Sequence, residues 1–152
     1  MGCNKNRNYK SALQFYNRTS QAIAATNIVS NPLVVDFGTA VTDTGCAFDF
    51  NARNINVKVG GLFRFSSDVS IETTAAGDLV IAMTLDGNVI PETVKTLTVT
   101  ATTTASVIHL ETIRQLKTCC NVDSHNIGVI AVSDGTVVGT IVDVSGNALK
   151  LA

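Results

Sequence analysis

The sequence contains no tryptophan, and only 15% of its 152 residues are charged, against about 25% in typical soluble domains. Glu, Lys and Arg, which favour helices, are scarce, whereas Val, Thr and Ile are abundant, and this composition favours β-strands. A chain of this length forms one domain that buries roughly 70% of its extended-chain surface. Because few charges cover the remaining surface, we expect self-association to hide apolar area; a monomer with an ordinary mixed surface is the alternative.

Membrane and export signals are also missing from the sequence. No apolar run approaches the length of a membrane span, and no apolar signal segment follows Met1. The opening Met-Gly-Cys is similar to an acylation site, but Asn6 stands where Ser or Thr is required. We therefore expect a protein that is made in a cytoplasm and has no membrane partner.

Motifs of the common enzyme classes are absent as well. The chain has no G-x-S-x-G elbow, no P-loop and no dinucleotide fingerprint. His109 and His125 are the candidate bases, but His109 stands in an alternating stretch typical of a surface strand, and His125 stands in a polar loop beside Asp123 and Ser124. Neighbours in sequence rarely form a catalytic triad, so we expect a non-enzymatic protein without catalytic residues or cofactor.

The four cysteines are Cys3, Cys46, Cys119 and Cys120. A reducing cytoplasm keeps such residues as thiols. Cys119 and Cys120 form a C-C-x4-H cluster with His125, but structural zinc sites show paired ligands at C-x2–4-C spacing and need four ligands in all. We therefore expect reduced cysteines that pack as small apolar residues, and no bound metal.

The clearest strand signal follows the Gly60-Gly61 pair and continues to Glu72. Polar and apolar residues alternate there with a period of two, which is typical of a strand with one buried face. The residues predicted to share the buried face are Phe63, Phe65, Ser67, Val69 and Ile71.

Short apolar stretches separated by turn signals continue to the C-terminus. Asp86-Gly87-Asn88 predicts a hairpin, and Asp134-Gly135 and Ser145-Gly146-Asn147 predict turns. The apolar spacing within residues 110–116 is compatible with a helix and equally with a bent strand. Regularly spaced short strands indicate an all-β sandwich or barrel without a second domain.

The first 32 residues differ in composition, because they carry four basic side chains and no acidic one. This segment indicates an arm that is flexible alone and becomes ordered against a partner; a frayed terminus with incidental charge is the alternative. Four charges are a weak footprint for nucleic acid, which we do not expect as the partner. The candidate attachment residues are Lys5, Arg7, Tyr9, Lys10, Leu13, Phe15, Tyr16 and Arg18.

Four stretches resemble, in their order, the strands of the tumour-necrosis-factor-like jelly roll that complement globular heads share: GGLFRFSSDVSIE, DLVIAMTLDGN, SVIHLETIRQL and a final strand pair ending in GNALKLA. The likeness covers about residues 33 to 151. The Asn-rich start and the late CCNV further resemble small head-fibre or head-decoration proteins of tailed bacteriophages. The longer arm and the lack of a helical stalk depart from that group.

This resemblance implies one jelly-roll domain over residues 33–152, preceded by an attachment arm over residues 1–32. It implies a homotrimeric structural virion protein, made in the host bacterial cytoplasm, whose partner is the major capsid protein or another head protein. The alternatives are a fibre-tip module that binds a receptor or a host-surface glycan, and a bacterial surface or spore-coat jelly roll.

Several predicted strands are apolar on both faces, which fits a trimer. After one core face is assigned, apolar residues remain in LVIAM, IGVIAV and TVVGTIV, and a permanent interface typically buries about 2,000 Å² or more. Burial of both faces within one chain, as in a thick sandwich, is the alternative. The candidate interface residues are Val80, Ala82, Ile130, Val132 and Val138.

Overall fold

The computed structural model describes residues 10–100, 104–118 and 124–152. In these residues the regular structure consists of β-strands and one 3₁₀ turn at Pro91–Thr93. The strands in chain order are β1 (Ala12–Asn17), β2 (Gln21–Ile23), β3 (Leu33–Val34), β4 (Thr39–Thr44), β5 (Phe48–Asn51), β6 (Asn54–Val57), β7 (Gly61–Thr73), β8 (Gly77–Leu85), β9 (Asn88–Val89), β10 (Lys95–Val99), β11 (Thr104–Leu116), β12 (His125–Ser133) and β13 (Gly139–Lys150).

The strands form two sheets that pack into a sandwich. Sheet I has the strand order β11-β7-β13-β1-β4, and β2 also pairs with β13. Sheet II has the order β10-β8-β12-β6-β5, with β3 paired to β12 and β9 paired to β8. The predicted all-β sandwich is confirmed.

The alternation in β7 fixes how sheet I faces the core. Phe63, Phe65 and Ile71 are buried, whereas Asp68 and Glu72, on the opposite face, are exposed. Burying one such large apolar side chain contributes about 1.5–3 kcal/mol, so the strand is held with this face inward. A shift of one residue would reverse every side chain, so the register is strongly specified.

All six phenylalanines of the chain pack in the core between the sheets. Phe48 of β5 contacts both β7 phenylalanines edge-on, with ring centroids 5.8 and 6.5 Å apart. The ring of Phe15 lies 4.5 Å from Phe37 and 6.0 Å from Phe50. Such aromatic pairs add about 0.5–1.5 kcal/mol beyond the area they bury.

Residues 12–17, which the sequence analysis placed in an arm, form a strand inside sheet I. β1 pairs with β13 along its whole length and with β4 on its other side. Leu13 is fully buried and Phe15 is 4% exposed. The predicted domain start at residue 33 is therefore wrong, because the sandwich already includes β1. The partner β13 lies at the other end of the chain, so local composition carries no signal of this pairing.

Two local predictions have different outcomes. The Asp86-Gly87 hairpin is confirmed, since both residues have positive φ (51° and 81°) and β8 pairs with β9 across them. The turn predicted at Ser145-Gly146-Asn147 is wrong, because β13 runs through these residues without a break. Gly146 instead makes room for a neighbour: a Cβ there would lie 2.5 Å from Phe15 Cζ.

The apolar spacing of residues 110–116 is compatible with a helix and with a strand. In the structure these residues belong to strand β11. β11 pairs with β7 from Thr104 opposite Thr73 to Leu116 opposite Gly61. Tertiary pairing with the long strand β7 decides between the two local possibilities. As a strand, β11 places His109 and Ile113 on the face of sheet I that points away from the core.

Candidate interaction surfaces

The outer face of sheet I, the face directed away from the core, carries exposed apolar side chains. Val107 and Ile113 of β11 are 70% and 54% exposed, and Val41 of β4 is 62% exposed. Solvent-facing sheet positions are ordinarily polar, so these apolar side chains make the face a candidate contact surface. The sequence analysis missed them, although Val107 and Ile113 stand at odd-numbered positions while Ile108 and Leu110 take the core face.

An ion-pair network crosses the same face between Val107 and Ile113. His109 Nδ1 lies 2.7 Å from Asp68 Oδ1, His109 Nε2 lies 3.5 Å from Glu111, and Arg64 binds Glu111 at 2.8 Å. The hydrogen bond with Asp68 raises the pKa of His109, and the hydrogen bond with Arg64 lowers the pKa of Glu111. Solvent screens these exposed pairs, so they influence specificity more than stability.

The predicted interface residues of β8 and β12 lie on the outer face of sheet II, where Val80 is opposite Val132 and Ala82 is opposite Ile130. Ala82 is 2% and Val132 is 9% exposed within the single chain. These two residues therefore have almost no surface to bury in an interface, which corrects the prediction for them. Val80, Ile130 and Val138 are half-buried.

The predicted attachment residues separate into four groups, the last of which is the pair Tyr16 and Arg18. Leu13 and Phe15 are core residues of the sandwich, so their side chains are not free to bury against a partner. Lys10 is exposed just before β1. Three further attachment residues lie outside the described residues: Lys5, Arg7 and Tyr9.

Tyr16 and Arg18, the remaining attachment residues, come together at the end of β1. Tyr16 is 45% exposed on the outer face of sheet I, and the guanidinium carbon of Arg18 lies 5.7 Å from the centre of its ring. Depressions of about 300 and 580 Å³ lie on the two sides of Tyr16, which lines both. This part of the surface is concave and is lined by both polar and aromatic side chains.

His125 is a structural residue at the other end of the sandwich. Its Nδ1 lies 2.7 Å from Asp86 Oδ2, and its Nε2 donates to the carbonyl oxygen of Lys117 at 2.9 Å. The hydrogen bond with Asp86 is the main cause that raises its pKa, and the bond to Lys117 adds to it. Both ring nitrogens are thus occupied, which leaves neither for a metal.

The structure provides no alternative metal site among the residues it describes, where no group of three or more His, Cys, Asp and Glu side chains is placed to hold an ion. Cys119 and Cys120 of the predicted cluster lie outside the described residues. Across the described ranges, no helix has the length and apolar character needed to cross a membrane.

Cys46 is disulfide-bonded. This bond contradicts the expectation that the cysteines remain thiols. Disulfides persist in oxidising environments and are rare in a reducing cytoplasm.

Comparison with solved structures identifies the same sandwich in proteins of very different sequence. The chain is similar to the globular domain of zebrafish complement 1qA protein (TM-score 0.58, 15% identity, 95% of this chain and 98% of that one). It is similar to murine APRIL (TM-score 0.59, 14% identity, 94% and 100%). It is also similar to the PRD1 vertex protein P5 (TM-score 0.52, 13% identity, 93% and 97%).

No family model and no curated protein matches the sequence. At these identities the structural likeness shows the fold and nothing more. The chain is therefore a jelly-roll sandwich like those of the complement globular domain and APRIL, and the predicted fold class is confirmed.

Proposed function

We propose that this chain is a structural virion protein that forms a homotrimer and decorates a bacteriophage head. The observation that carries the proposal is the set of exposed apolar side chains on the outer face of sheet I. The likeness of almost the whole chain to a phage vertex protein supports the viral setting. The fold itself is shared with proteins of other functions, so it supports a binding or assembly role and not a reaction.

The outer face of sheet I, apart from its end at Tyr16 and Arg18, is the protomer contact in this proposal. Val107 and Ile113 lie on edge strand β11, and Val41 lies on edge strand β4 at the opposite side of the sheet. A cyclic arrangement needs two complementary patches on each protomer, and two apolar edges on one face supply them. The ion-pair network between them sets the orientation of neighbouring copies through charge complementarity.

Attachment to the head is assigned to the segment before β1, which is shorter than the arm first predicted. Lys5, Arg7 and Lys10 are basic, and no acidic residue precedes Asp36. An acidic capsid surface would attract this segment, and salt would weaken the attraction because exposed charges are screened over about 8 Å at physiological ionic strength.

Light scattering and analytical ultracentrifugation test the trimer. We expect the purified protein to sediment as a trimer at micromolar concentration, and Val107→Asp combined with Ile113→Asp to sediment as a folded monomer. Val29→Asp is the matched control, because Val29 is 84% exposed in a loop outside this face. A monomeric wild type, or a double variant that remains trimeric, would overturn the proposed interface.

Attachment is tested by adding the purified protein to particles of the encoding virus that lack it. We expect the triple variant Lys5→Gln, Arg7→Gln and Lys10→Gln to trimerise normally but to occupy fewer particle sites than the wild type at low salt. Its occupancy should also fall less as salt is raised, because the charges that salt screens are gone.

The control for that experiment removes the same charge elsewhere, by Arg53→Gln, Lys95→Gln and Lys117→Gln on exposed side chains. Equal occupancy by the two triple variants would show that attachment does not depend on the N-terminal segment.

A further inference from the structure

The larger depression beside Tyr16 has the size and position of a ligand-binding site. It has a volume of about 580 Å³ and lies at the end of β1, where residues 17–21 meet the segment from Asp36 to Thr39. Ligand pockets commonly enclose about 300–1,000 Å³, so the depression has room for a small polar molecule. Its position at loops on a rigid sandwich is a common one for binding residues.

The polar floor of this depression is held in place by hydrogen bonds. The Gln21 side chain forms a two-point contact with the backbone of Asp36, donating from Nε2 to the carbonyl at 2.8 Å and accepting from the amide at 2.7 Å. Asn17, only 8% exposed, donates to the same carbonyl at 3.0 Å. Its Oδ1 accepts from the Thr19 amide at 2.8 Å, which fixes the turn that carries Arg18.

The Asp36 carboxylate has one oxygen occupied and one available. Oδ1 accepts from the Gly38 amide at 2.7 Å and from Asn17 Nδ2 at 3.3 Å. Oδ2 has no hydrogen-bond partner within the described part of the chain. A fixed carboxylate oxygen at the edge of a depression is an acceptor for a ligand hydroxyl.

Arg18 supplies the complementary donor. Its guanidinium is packed over the Tyr16 ring and, among the described residues, has no carboxylate within 4.0 Å. Cation–π packing positions the planar group without neutralising it, so its N–H donors remain available. A planar guanidinium is suited to two-point binding of a carboxylate.

We propose that this depression binds a saccharide that carries a carboxylate. The sugar carboxylate binds Arg18, a sugar hydroxyl donates to Asp36 Oδ2, and the exposed edge of Tyr16 packs against the apolar side of the sugar ring. Asp36 repels any anion, and the single positive charge of Arg18 offsets this repulsion for a carboxylate monoanion better than for a phosphate dianion. The mixed donor and acceptor lining favours a polyhydroxylated ligand over an apolar one.

Saturation-transfer NMR with two matched sugars tests this site. D-galacturonic acid and D-galactose differ only in a carboxylate that replaces a hydroxymethyl group. We expect the wild type to bind galacturonic acid about tenfold more tightly than galactose, because a hydrogen bond to a charged group is stronger than one to a neutral group.

Arg18→Gln should abolish that preference, while Arg53→Gln should retain it. Arg53 is the matched control because it is exposed, forms no ion pair within the described residues and does not line the depression. Thermal unfolding of both variants verifies that they are folded. Equal binding of the two sugars by the wild type, or an unchanged preference in Arg18→Gln, would overturn the proposal; neither result bears on trimer formation or head attachment.

Discussion

His109 of β11 lies directly opposite Asp68 of β7, and its Nδ1 is 2.7 Å from Asp68 Oδ1. The pair occupies the outer face of sheet I, with Glu111 and Arg64 beside it. The bond to Asp68 favours the charged imidazole and raises the pKa of His109 above its ordinary value of 6.5. Since the folded-state pKa is the higher one, the pair stabilises the fold fully below pH 6.5, and this contribution is lost as the pH rises through the raised pKa.

We predict that His109→Gln weakens the decline of the free energy of unfolding as the pH rises above 6.5. The change should be no larger than about 1 kcal/mol, because both side chains are more than half exposed and solvent screens the pair. Urea unfolding at several pH values measures it. Asp68→Asn should weaken the pH dependence of the free energy of unfolding by a similar amount. An unchanged pH dependence in both variants would contradict the interaction between His109 and Asp68.

His125 should make the free energy of unfolding depend on pH more strongly than His109 does, and in the same direction. Its side chain is 15% exposed, and both ring nitrogens face acceptors, Asp86 and the carbonyl of Lys117. A neutral imidazole has one N–H, so deprotonation breaks one of the two bonds, which is worth about 1 kcal/mol. We expect His125→Gln to lower stability below pH 6.5 by more than His109→Gln does. The difference from the wild type should be smaller at high pH, where the wild type keeps only one of the two bonds.

Two adjacent residues of β1, Phe15 and Tyr16, have different roles: one packs in the core and the other lies on the surface. Phe15 is 4% exposed against Phe37, whereas Tyr16 is 45% exposed on the opposite face. Phe15→Ala should reduce the free energy of unfolding by about 3–5 kcal/mol, because it removes a large core side chain and leaves a cavity. Tyr16→Ala should cost about 0.5 kcal/mol or less. Urea unfolding of the two variants compares them directly, and similar losses would mean that Phe15 is not a core residue.

Removal of the disulfide should weaken the fold in a redox-dependent way. Cys46→Ser should lower the free energy of unfolding by about 2–4 kcal/mol under oxidising conditions, because the unfolded chain gains conformational freedom. A reductant should lower the stability of the wild type by the same amount and leave the variant unchanged. Non-reducing peptide mapping identifies the partner cysteine, and a wild type whose stability is insensitive to reductant would contradict the bond.

Local sequence pattern predicted features that depend on neighbouring residues in the chain. The alternation in β7 predicts which side chains are buried, because each residue's face follows from its position in the strand. Asp86-Gly87 predicts the hairpin, because this turn needs only two residues with positive φ. The same logic failed for β1, whose short Leu13 and Phe15 alternation is interpretable only once β13 and β4 are placed beside it.

The candidate surfaces were less predictable for a related reason. Tyr16 and Arg18 were selected as basic and aromatic arm residues, but their cation–π contact depends on β1 being part of sheet I. Asp36 was not selected, because Asn17 and Gln21 hold it in the site through hydrogen bonds to its backbone that form only once the loop is folded. Val107 was missed since its exposure follows from the position of β11 at the sheet edge.

Gly146 is the clearest case in which a turn residue serves packing instead. It pairs with Phe15 on one side and Ser67 on the other within sheet I. A Cβ would lie 2.5 Å from both Phe15 Cζ and the carbonyl oxygen of Ser66. The ring tip can move only by disturbing its packing against Phe37, and the carbonyl belongs to backbone that is fixed by the sheet.

We therefore predict that Gly146→Ala lowers the free energy of unfolding by about 3 kcal/mol, at the upper end of the cost of overpacking a core. Gly135→Ala is the matched control, because Gly135 has a positive φ of 97° but nothing within 4 Å of the added Cβ. That change should cost only about 1–2 kcal/mol of backbone strain. Gly146→Ala should cost less in a Phe15→Leu background than in the wild type, since one of the two clashes is removed and the Ser66 carbonyl remains. If Gly146→Ala is tolerated as well as Gly135→Ala in urea unfolding, the close approach of β1 and β13 at this point is incorrect, and with it the placement of Phe15 over the glycine.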